Sequence, residues 1–438
     1  MRRISIDEKI ELVKNMLKEL HRGASVEELK EKYREVLSTI SPIEIPIIEQ
    51  ELVREGVSVR EILHLCDLHV ELFREQLASR QLTGIPAGHP LDVLLQENEW
   101  LNRRAEILKL YATNLKTTSS RDDFTRILAS IRELVTELRK IRLHYRKIQM
   151  GIFPYLERRG IVAVPRVMWG REDQTVVAIR SLSELLASDR DVEEVDEIVG
   201  KALEVSQSIN DLVFRENKIL YPTTWALFSE GEWVAIKEVF DDIGYIVEPR
   251  EEWRTEAKPI LPYELESTPI TPDQLEKLPM EMRGVILSRG AEPDKYRVVR
   301  DSDIDLGTGF LSIEDIENML NSLPLEITYA SADDRVRYFN KSFFSRGFLR
   351  TKTIIGRRLE YCHPPRLEKL VTSVVEELKR GERRYAEYWT KLGDRIIRVL
   401  VVAVRNSSGE YIGTLEIVED LTEVVKNPEK ILNRIVVL

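Results

Sequence analysis

From Leu323 onward the spacing of apolar residues tightens from three and four to two, and this constrains the C-terminal part of the chain more than any other feature. Leu325, Ile327 and Tyr329 alternate with Glu326 and Thr328, as a half-buried strand requires. The run from Arg366 returns to helical spacing, with Leu367, Leu370, Val371, Val374 and Leu378 on one stripe and Gly381 as its stop. The strand from Arg395 to Arg405 carries VLVVAV, too apolar for an edge facing water, and the turn Asn406 to Glu410 joins it to the last strand. Two short strands, a polar crossing, a longer helix and three strands predict an α+β domain with an antiparallel sheet. One face of that sheet is expected to form a hydrophobic chamber beneath the helices.

The segments LPLEITYASADDRVRYFN, IIGRRLEYCHPPRLEKLVTSVVEELKRGE and AEYWTKLGDRIIRVLVVAVRNSSGEYIGTLEIVEDLTEV resemble a PAS domain. The resemblance implies a module that binds a small ligand or reports a signal. Within it Gly356 to Pro365, GRRLEYCHPP, is close to a GR-x-V-x-x-CHPP signature, with Leu359 in the valine position. Cys362 and His363 are the residues there that could meet a ligand, because thiolate and imidazole ligate haem iron or other soft metals. An organic ligand at this corner and a purely structural helix start at Pro364 and Pro365 are the other readings. Tyr329, Phe339 and Trp389 complete the expected ligand-binding set.

Upstream the chain reads as helical. Ile6, Ile10, Val13, Leu17 and Leu20 form one apolar stripe, and Ser25 with Glu28, Ser41 with Glu44 and Ser58 with Glu61 form capping boxes, so a small bundle is expected over 1–82. Residues Leu17 to Phe73 resemble a helical domain of unknown function found ahead of hemerythrin-like and PAS modules. His64, Cys66 and His69 lie in it, but a step of five does not place two ligands on one helical face. Four long amphipathic helices follow: one from the GHP of 88–90, and others near 120–148, 173–186 and 192–217. Short connections between them predict an up-and-down bundle over 86–245. Prolines at 249, 259, 262, 269, 272, 279 and 293 then mark 246–305 as a connector. It is too long to be structureless and is expected to pack along the bundle, with a short helix near 272–277 and a hairpin around 284–299. A capped helix at Ser312 leads the PAS region of 306–424, and 425–438 is a tail.

The bundle resembles the hemerythrin-like, or HHE cation-binding, fold through GHP at 88–90, LHYRKIQMGIFPYLERRGI at 143–161, PRVMWG at 165–170, RENKILYP at 215–222 and SEGEWVAIKEVFDDIGY at 229–245. That resemblance implies paired irons held by several histidines and carboxylates from all four helices. The chain has 6 histidines in all, and only His89 and His144 fall in the bundle. Asp92 stands where related sequences have a second histidine, and Gln149 and Asn217 where they have acids. Glu172-Asp173-Gln174 occupies the place of an HDE-like segment. A neutral amide cannot balance the charge of an iron pair. Three readings remain: a bundle that has lost di-iron and kept its fold, a mononuclear or vestigial site of His89, Asp92, His144 and Glu216, and His144 with Tyr145 as interior polar residues in a hydrogen-bond network.

A formal net charge of -10 with 43% hydrophobic and 32% charged residues describes a globular chain and argues against nucleic-acid binding. No apolar run approaches the roughly 18 residues of a membrane span, and the amphipathic start is unlike a signal peptide, so a cytoplasmic location is expected. No nucleophile–base arrangement, phosphate-binding glycine loop or zinc signature marks an enzyme. The expectation is a sensory or regulatory protein, a homodimer, acting through a small-molecule ligand and a protein output partner of unknown identity. The alternatives are an iron-binding oxygen or redox protein and a non-catalytic scaffold.

Overall fold

The computed structural model describes residues 8, 11–12, 15–16, 19, 26–33, 82–118, 120–187, 195–265, 269–278, 283, 286, 292–342 and 348–435. The chain divides into two compact units, Met1–Arg297 and Val298–Leu438. The readings at His64, Cys66 and His69, the first apolar stripe and the capping boxes near 25, 41 and 58 lie outside the described residues. Of the N-terminal region, α1 (Val26–Lys32) is described, and Lys32 and Tyr33 both donate to the carboxylate of Glu19.

The first unit is built on α2 (Pro90–Thr117), α3 (Arg121–Leu138), α4 (Ile141–Lys147), α5 (Phe153–Arg158), α6 (Ala163–Ala187), α7 (Val195–Arg215), α8 (Tyr221–Leu227) and α9 (Glu230–Ile243). Leu91, Leu94, Leu101, Ala105, Leu108, Ala112 and Leu115 put one face of α2 into the core, and Val199, Ala202, Val205, Ile209 and Leu212 do the same for α7. Each fully buried leucine contributes on the order of 2 kcal/mol. The hydroxyl of Ser206 donates to the Ala105 carbonyl at 2.7 Å, so the two longest stripes meet at small residues. The helix expected to stop at 148 continues instead. A π-helical turn at Ile148–Ile152 joins α4 to α5, and a second at Glu216–Leu220 joins α7 to α8.

Both widened turns precede a proline at the second position of the next helix, Pro154 and Pro222. A proline ring clashes with the carbonyl four residues back and offers no N–H, and widening the turn relieves both defects without ending the helix.

The proline-bearing connector packs along the bundle up to Arg297, while its last residues, 298–305, fall in the second unit. Tyr155 donates to the Ile260 carbonyl at 2.8 Å, and Ile260 N–H donates to the Gly231 carbonyl at 3.0 Å. Arg158 reaches Asp294 at 2.8 Å and the Tyr296 carbonyl, while Asp294 N–H returns to the Arg158 carbonyl. The short helix appears as α10 (Pro272–Lys277). Of the expected hairpin around 284–299, the described residues from 292 form no strand.

In the second unit β1 (Asp303–Asp305) and β2 (Phe310–Ser312) form a small hairpin before α11 (Ile313–Ser322). β3 (Glu326–Ser331), β4 (Val336–Phe339), β5 (Tyr385–Leu392), β6 (Arg395–Arg405) and β7 (Tyr411–Asp420) make an antiparallel sheet in the order β4-β3-β7-β6-β5. The apolar VLVVAV strand lies inside the sheet, between β7 and β5. Asn340 locks α11 to the sheet by accepting from Ile327 N–H and donating to the Leu320 and Leu325 carbonyls, each at 2.8 Å. α12 (Pro365–Arg380) ends at Gly381 in the left-handed conformation, and Arg405 donates to the last carbonyls. Its buried residues are Val374, Val375 and Leu378. Leu370, expected inside, is exposed, and Val375 takes its place. After β7 come α13 (Thr422–Lys426) and α14 (Pro428–Leu432).

Glycine makes the close passage of the connector possible. A Cβ on Gly88, at φ +73°, would stand 2.1 Å from the Glu251 carbonyl oxygen, and one on Gly160, at φ +78°, 2.3 Å from that of Glu292. Gly88→Ala is therefore expected to lower the stability of the first unit by about 1–3 kcal/mol. Limited proteolysis should also cut residues 246–265 faster in this variant, and an unchanged digestion pattern would contradict the close passage.

Candidate functional site

In the first unit the polar residues of the apolar stripes gather into one buried cluster. Glu97 stands on α2 between Leu94 and Leu101, on the core face. His144 and Lys147 are one turn apart at the end of α4 and so share a face. Glu216 opens the second π-helical turn, Gln149 sits in the first, and Glu172 faces in from α6. Glu97, His144, Lys147, Glu172 and Glu216 are all 0% exposed.

The contacts form a chain. His144 Nδ1 meets Glu97 Oε2 at 2.8 Å and His144 Nε2 meets Glu216 Oε2 at 3.1 Å. A carboxylate only accepts, so both contacts are hydrogen bonds when the ring is an imidazolium with an N–H at each nitrogen. Lys147 Nζ donates to Glu97 Oε1 at 2.6 Å and to the Gly244 carbonyl at 2.8 Å, while Ile246 N–H donates to the same Glu97 oxygen at 3.0 Å. Tyr221 donates to Glu216 at 3.1 Å, Asn98 donates to the Tyr221 hydroxyl and to Asn217, and Gln149 donates to Glu172 at 2.7 Å.

Burial opposes charge on His144, but the Glu216 and Glu97 carboxylates outweigh it and raise the ring to about 9. Burial likewise favours the neutral form of Glu97, yet His144 and Lys147 hold its carboxyl below the usual range. For Glu172 the Gln149 hydrogen bond and the His144 charge act in the same sense but are outweighed. Burial, with the nearby Glu216 carboxylate, pushes it up to about 8.

Of the four residues expected to form a metal site, the structure brings together His144 and Glu216. His89 and Asp92 serve the start of α2 instead. His89 Nδ1 accepts from Leu91 N–H at 3.1 Å, and its ring is enclosed by Trp225, Trp233 and Trp253 at 5.3, 4.7 and 4.7 Å, where burial lowers it to about 4. Asp92 accepts from Gly88 N–H and Gln96. Two helical turns, about 12 Å, separate His89 from Glu97. No group of three or more His, Cys, Asp or Glu among the described residues is arranged to hold a metal ion. Glu172 Oε1 and Glu216 Oε1 lack hydrogen-bond partners, but the single imidazole has both nitrogens committed and Gln149 turns an N–H toward Glu172. This donor set does not fit a pair of iron ions.

In the second unit strand register decides which residues face α12. Ala386, Val401 and Ala403 pack with Val374 and Leu378 of α12, and Val401 pairs with Glu416, which pairs with Thr328, which pairs with Phe339. The helix-facing side of β3 is therefore Glu326, Thr328 and Ala330, the reverse of the simple alternation, since neighbouring residues point to opposite faces. Ile327 is buried on the other face. Arg350 reaches onto the helix-facing side, donating to Thr328 Oγ1 at 2.5 Å and Glu326 Oε2 at 3.0 Å, and pairing with Glu416. The expected apolar chamber is thus partly lined by charge.

Phe339 lies on this face. Tyr329 and Trp389 lie on the opposite one, where the Tyr329 hydroxyl donates to the Ile412 carbonyl and Trp389 is 53% exposed. Cys362 and His363 sit at the turn before α12. Burial pushes the Cys362 thiol up, with Arg357, Glu416 and Arg350 the charges that act on it. His363 Nδ1 bonds the Leu359 carbonyl at 2.9 Å, which makes Nε2 the acceptor of the ring. A cavity of about 60 Å³ lies nearby, lined by Asp333, Asp334, Arg358, Leu359, Val375 and Glu376 among others.

The signals for the missed residues were present. Glu97 and Asn98 interrupt an apolar stripe, Lys147 follows His144 at a helical step, and Arg350 precedes the signature segment.

Sequence models of three families match: a family of unknown function, DUF438, at 13–79, the hemerythrin HHE cation binding domain at 89–224, and the PAS domain at 316–422. The chain belongs with proteins that join a DUF438 region, a hemerythrin HHE domain and a C-terminal PAS domain. Among solved structures, the C-terminal domain of a Streptococcus mutans protein is 35% identical, over 29% of this chain and 98% of that one, with a TM-score of 0.28. A sensory box sensor histidine kinase from Vibrio cholerae is 15% identical over 24% and 89% of the two chains, with a TM-score of 0.20. The PAS domain of a Colwellia psychrerythraea protein is 16% identical over 25% and 98%, with a TM-score of 0.21. No curated protein matches the chain. No helix among the described residues is long and apolar enough to cross a membrane.

The buried cluster predicts an alkaline weakness. Folded His144 keeps its proton to about 9 while the unfolded ring releases it near 6.5, and folded Glu172 keeps its proton to about 8 against 4.5 unfolded. Both folded groups bind protons more tightly than unfolded ones, so the stability each adds is complete below its unfolded value and is lost as pH rises through its folded one. Thermal melts across this range should show a loss on the order of 3 kcal/mol from His144 and 5 kcal/mol from Glu172. Glu172→Gln should flatten the slope between 4.5 and 8, and an unaltered slope would show that Glu172 titrates normally.

Proposed function

We propose that this chain is a sensory or regulatory protein in which the PAS domain takes a small ligand or redox cue and the hemerythrin domain scaffolds or relays the response. The observation that carries this reading is the helix-facing side of the sheet. There the Arg350 guanidinium, held by Glu326, Thr328 and Glu416, lies on a face otherwise furnished by Val401, Ala403 and Phe339. A few fixed polar groups in apolar surroundings are what orient a bound molecule. Phe339, Cys362 and His363 are the residues proposed to meet it, and His363 Nε2 is available as an acceptor or as a haem ligand. Tyr329 and Trp389, on the other face, are better placed for contact with a second copy of the chain, in keeping with a homodimer.

The iron-binding alternative is disfavoured by the donor set around His144. A purely structural role is separated from sensing by ligand content. Mass spectrometry of the full chain, purified without a tag and then denatured, should release a stoichiometric small molecule, and Arg350→Ala should lower its occupancy at least about tenfold, the cost of one lost charged hydrogen bond. A Soret band abolished by His363→Ala would identify the ligand as haem. If nothing is released and the melting temperature is indifferent to a panel of haem, flavin and carboxylate ligands, the chain is a scaffold.

A further inference from the structure

We infer that the hemerythrin domain of this chain compensates its buried carboxylates with two cations of its own, His144 and Lys147, in place of metal ions, and that Lys147 also clasps the chain where it leaves the bundle. The inference deepens the scaffold part of the proposed function and is independent of what the PAS domain binds.

The first support is charge and geometry. Two carboxylates with no exposure, Glu97 and Glu216, need compensation that water cannot give, and an isolated buried carboxylate is prohibitively costly. The cluster supplies it internally. The His144 ring bridges the two acids, one nitrogen to each, and the Lys147 ammonium lies 2.6 Å from the second Glu97 oxygen. Glu97 accepts three hydrogen bonds, two at one oxygen from Lys147 and Ile246 N–H and one at the other from His144. An inserted cation would have to strip a proton from the His144 ring and compete with the Lys147 ammonium already bonded to Glu97.

The second support is where the contacts end. α9 stops at Ile243, Gly244 is its C-cap and Ile246 is the first residue of the connector. Lys147 donates to the Gly244 carbonyl at 2.8 Å and Glu97 accepts from Ile246 N–H at 3.0 Å. The same ion pair that neutralises the core therefore fixes the path of the chain out of it. The aromatic rings of Phe240 and Tyr245 lie 5.9 and 5.0 Å from Lys147 Nζ and close the clasp from the side.

Two measurements on the full chain test this. The protein, stripped of metal and then equilibrated with iron(II), manganese(II) or zinc(II) under anaerobic conditions, should take up far less than one ion per chain, with no rise in melting temperature. Stoichiometric uptake that is lost in His144→Ala or Glu172→Gln would overturn the inference, while leaving ligand capture by the PAS domain standing. Lys147→Met should lower the melting temperature by about 10 °C, because it leaves Glu97 buried and unpaired. It should also speed proteolysis within 246–265. The double variant Lys147→Met with Glu97→Gln, which removes both charges, should recover at least half of the lost melting temperature, and it remains informative if the single variant does not fold. Failure of the double variant to recover any of the loss, or an unchanged melting temperature in Lys147→Met, would show that the pair does not compensate charge.

Discussion

The contact between Lys147 and Glu97 is the constraint on which the first unit depends. It joins two helices in the dry interior, occupies one side of the carboxylate whose other side orients His144, and reaches the backbone at Gly244. Breaking one partner of such a pair costs far more than replacing both, since the loss is dominated by the charge left behind. The surrounding apolar stripes on α2 and α7 supply most of the favourable free energy of burial.

The two units use buried charge differently. In the bundle the carboxylates are sealed and matched by an imidazolium and an ammonium. In the PAS domain Arg350 is surrounded by two carboxylates and a hydroxyl on a sheet face that still exposes part of Glu416, whose side chain is 25% accessible. The first arrangement favours a single fixed structure. The second keeps a polar group near solvent, where an exchange of partners costs less.

Much of the fold was legible because period, caps and stops agreed along the chain. The capped start of α11 at Ser312, the glycine stop of α12 and the docking of the proline-bearing connector follow from local chemistry. The site was less legible. A family pattern points to His89 and Asp92 as ligands, yet both residues serve to begin a helix. Lys147 and Glu97 look like surface residues one at a time, and their pairing links positions 50 apart in sequence, which no periodicity reveals. On β3 the alternation was correct as a pattern but silent about direction, because both Glu326 and Ile327 are buried and only cross-strand pairing shows which one faces α12.

The widened turns at Ile148–Ile152 and Glu216–Leu220 add a different kind of information. In a continuous α-helix each residue advances the direction of its side chain by roughly 100°, so a turn that takes in one extra residue resets the phase of everything beyond it. The phase that sets Tyr221 against Glu216 is therefore stored as a count of residues in the second turn. Deleting one residue from the second turn after Glu216, even with every charged side chain kept, would rotate α8 and carry the Tyr221 hydroxyl away from Glu216. In this bundle chain length between the charged side chains is as much a part of their chemistry as their identity.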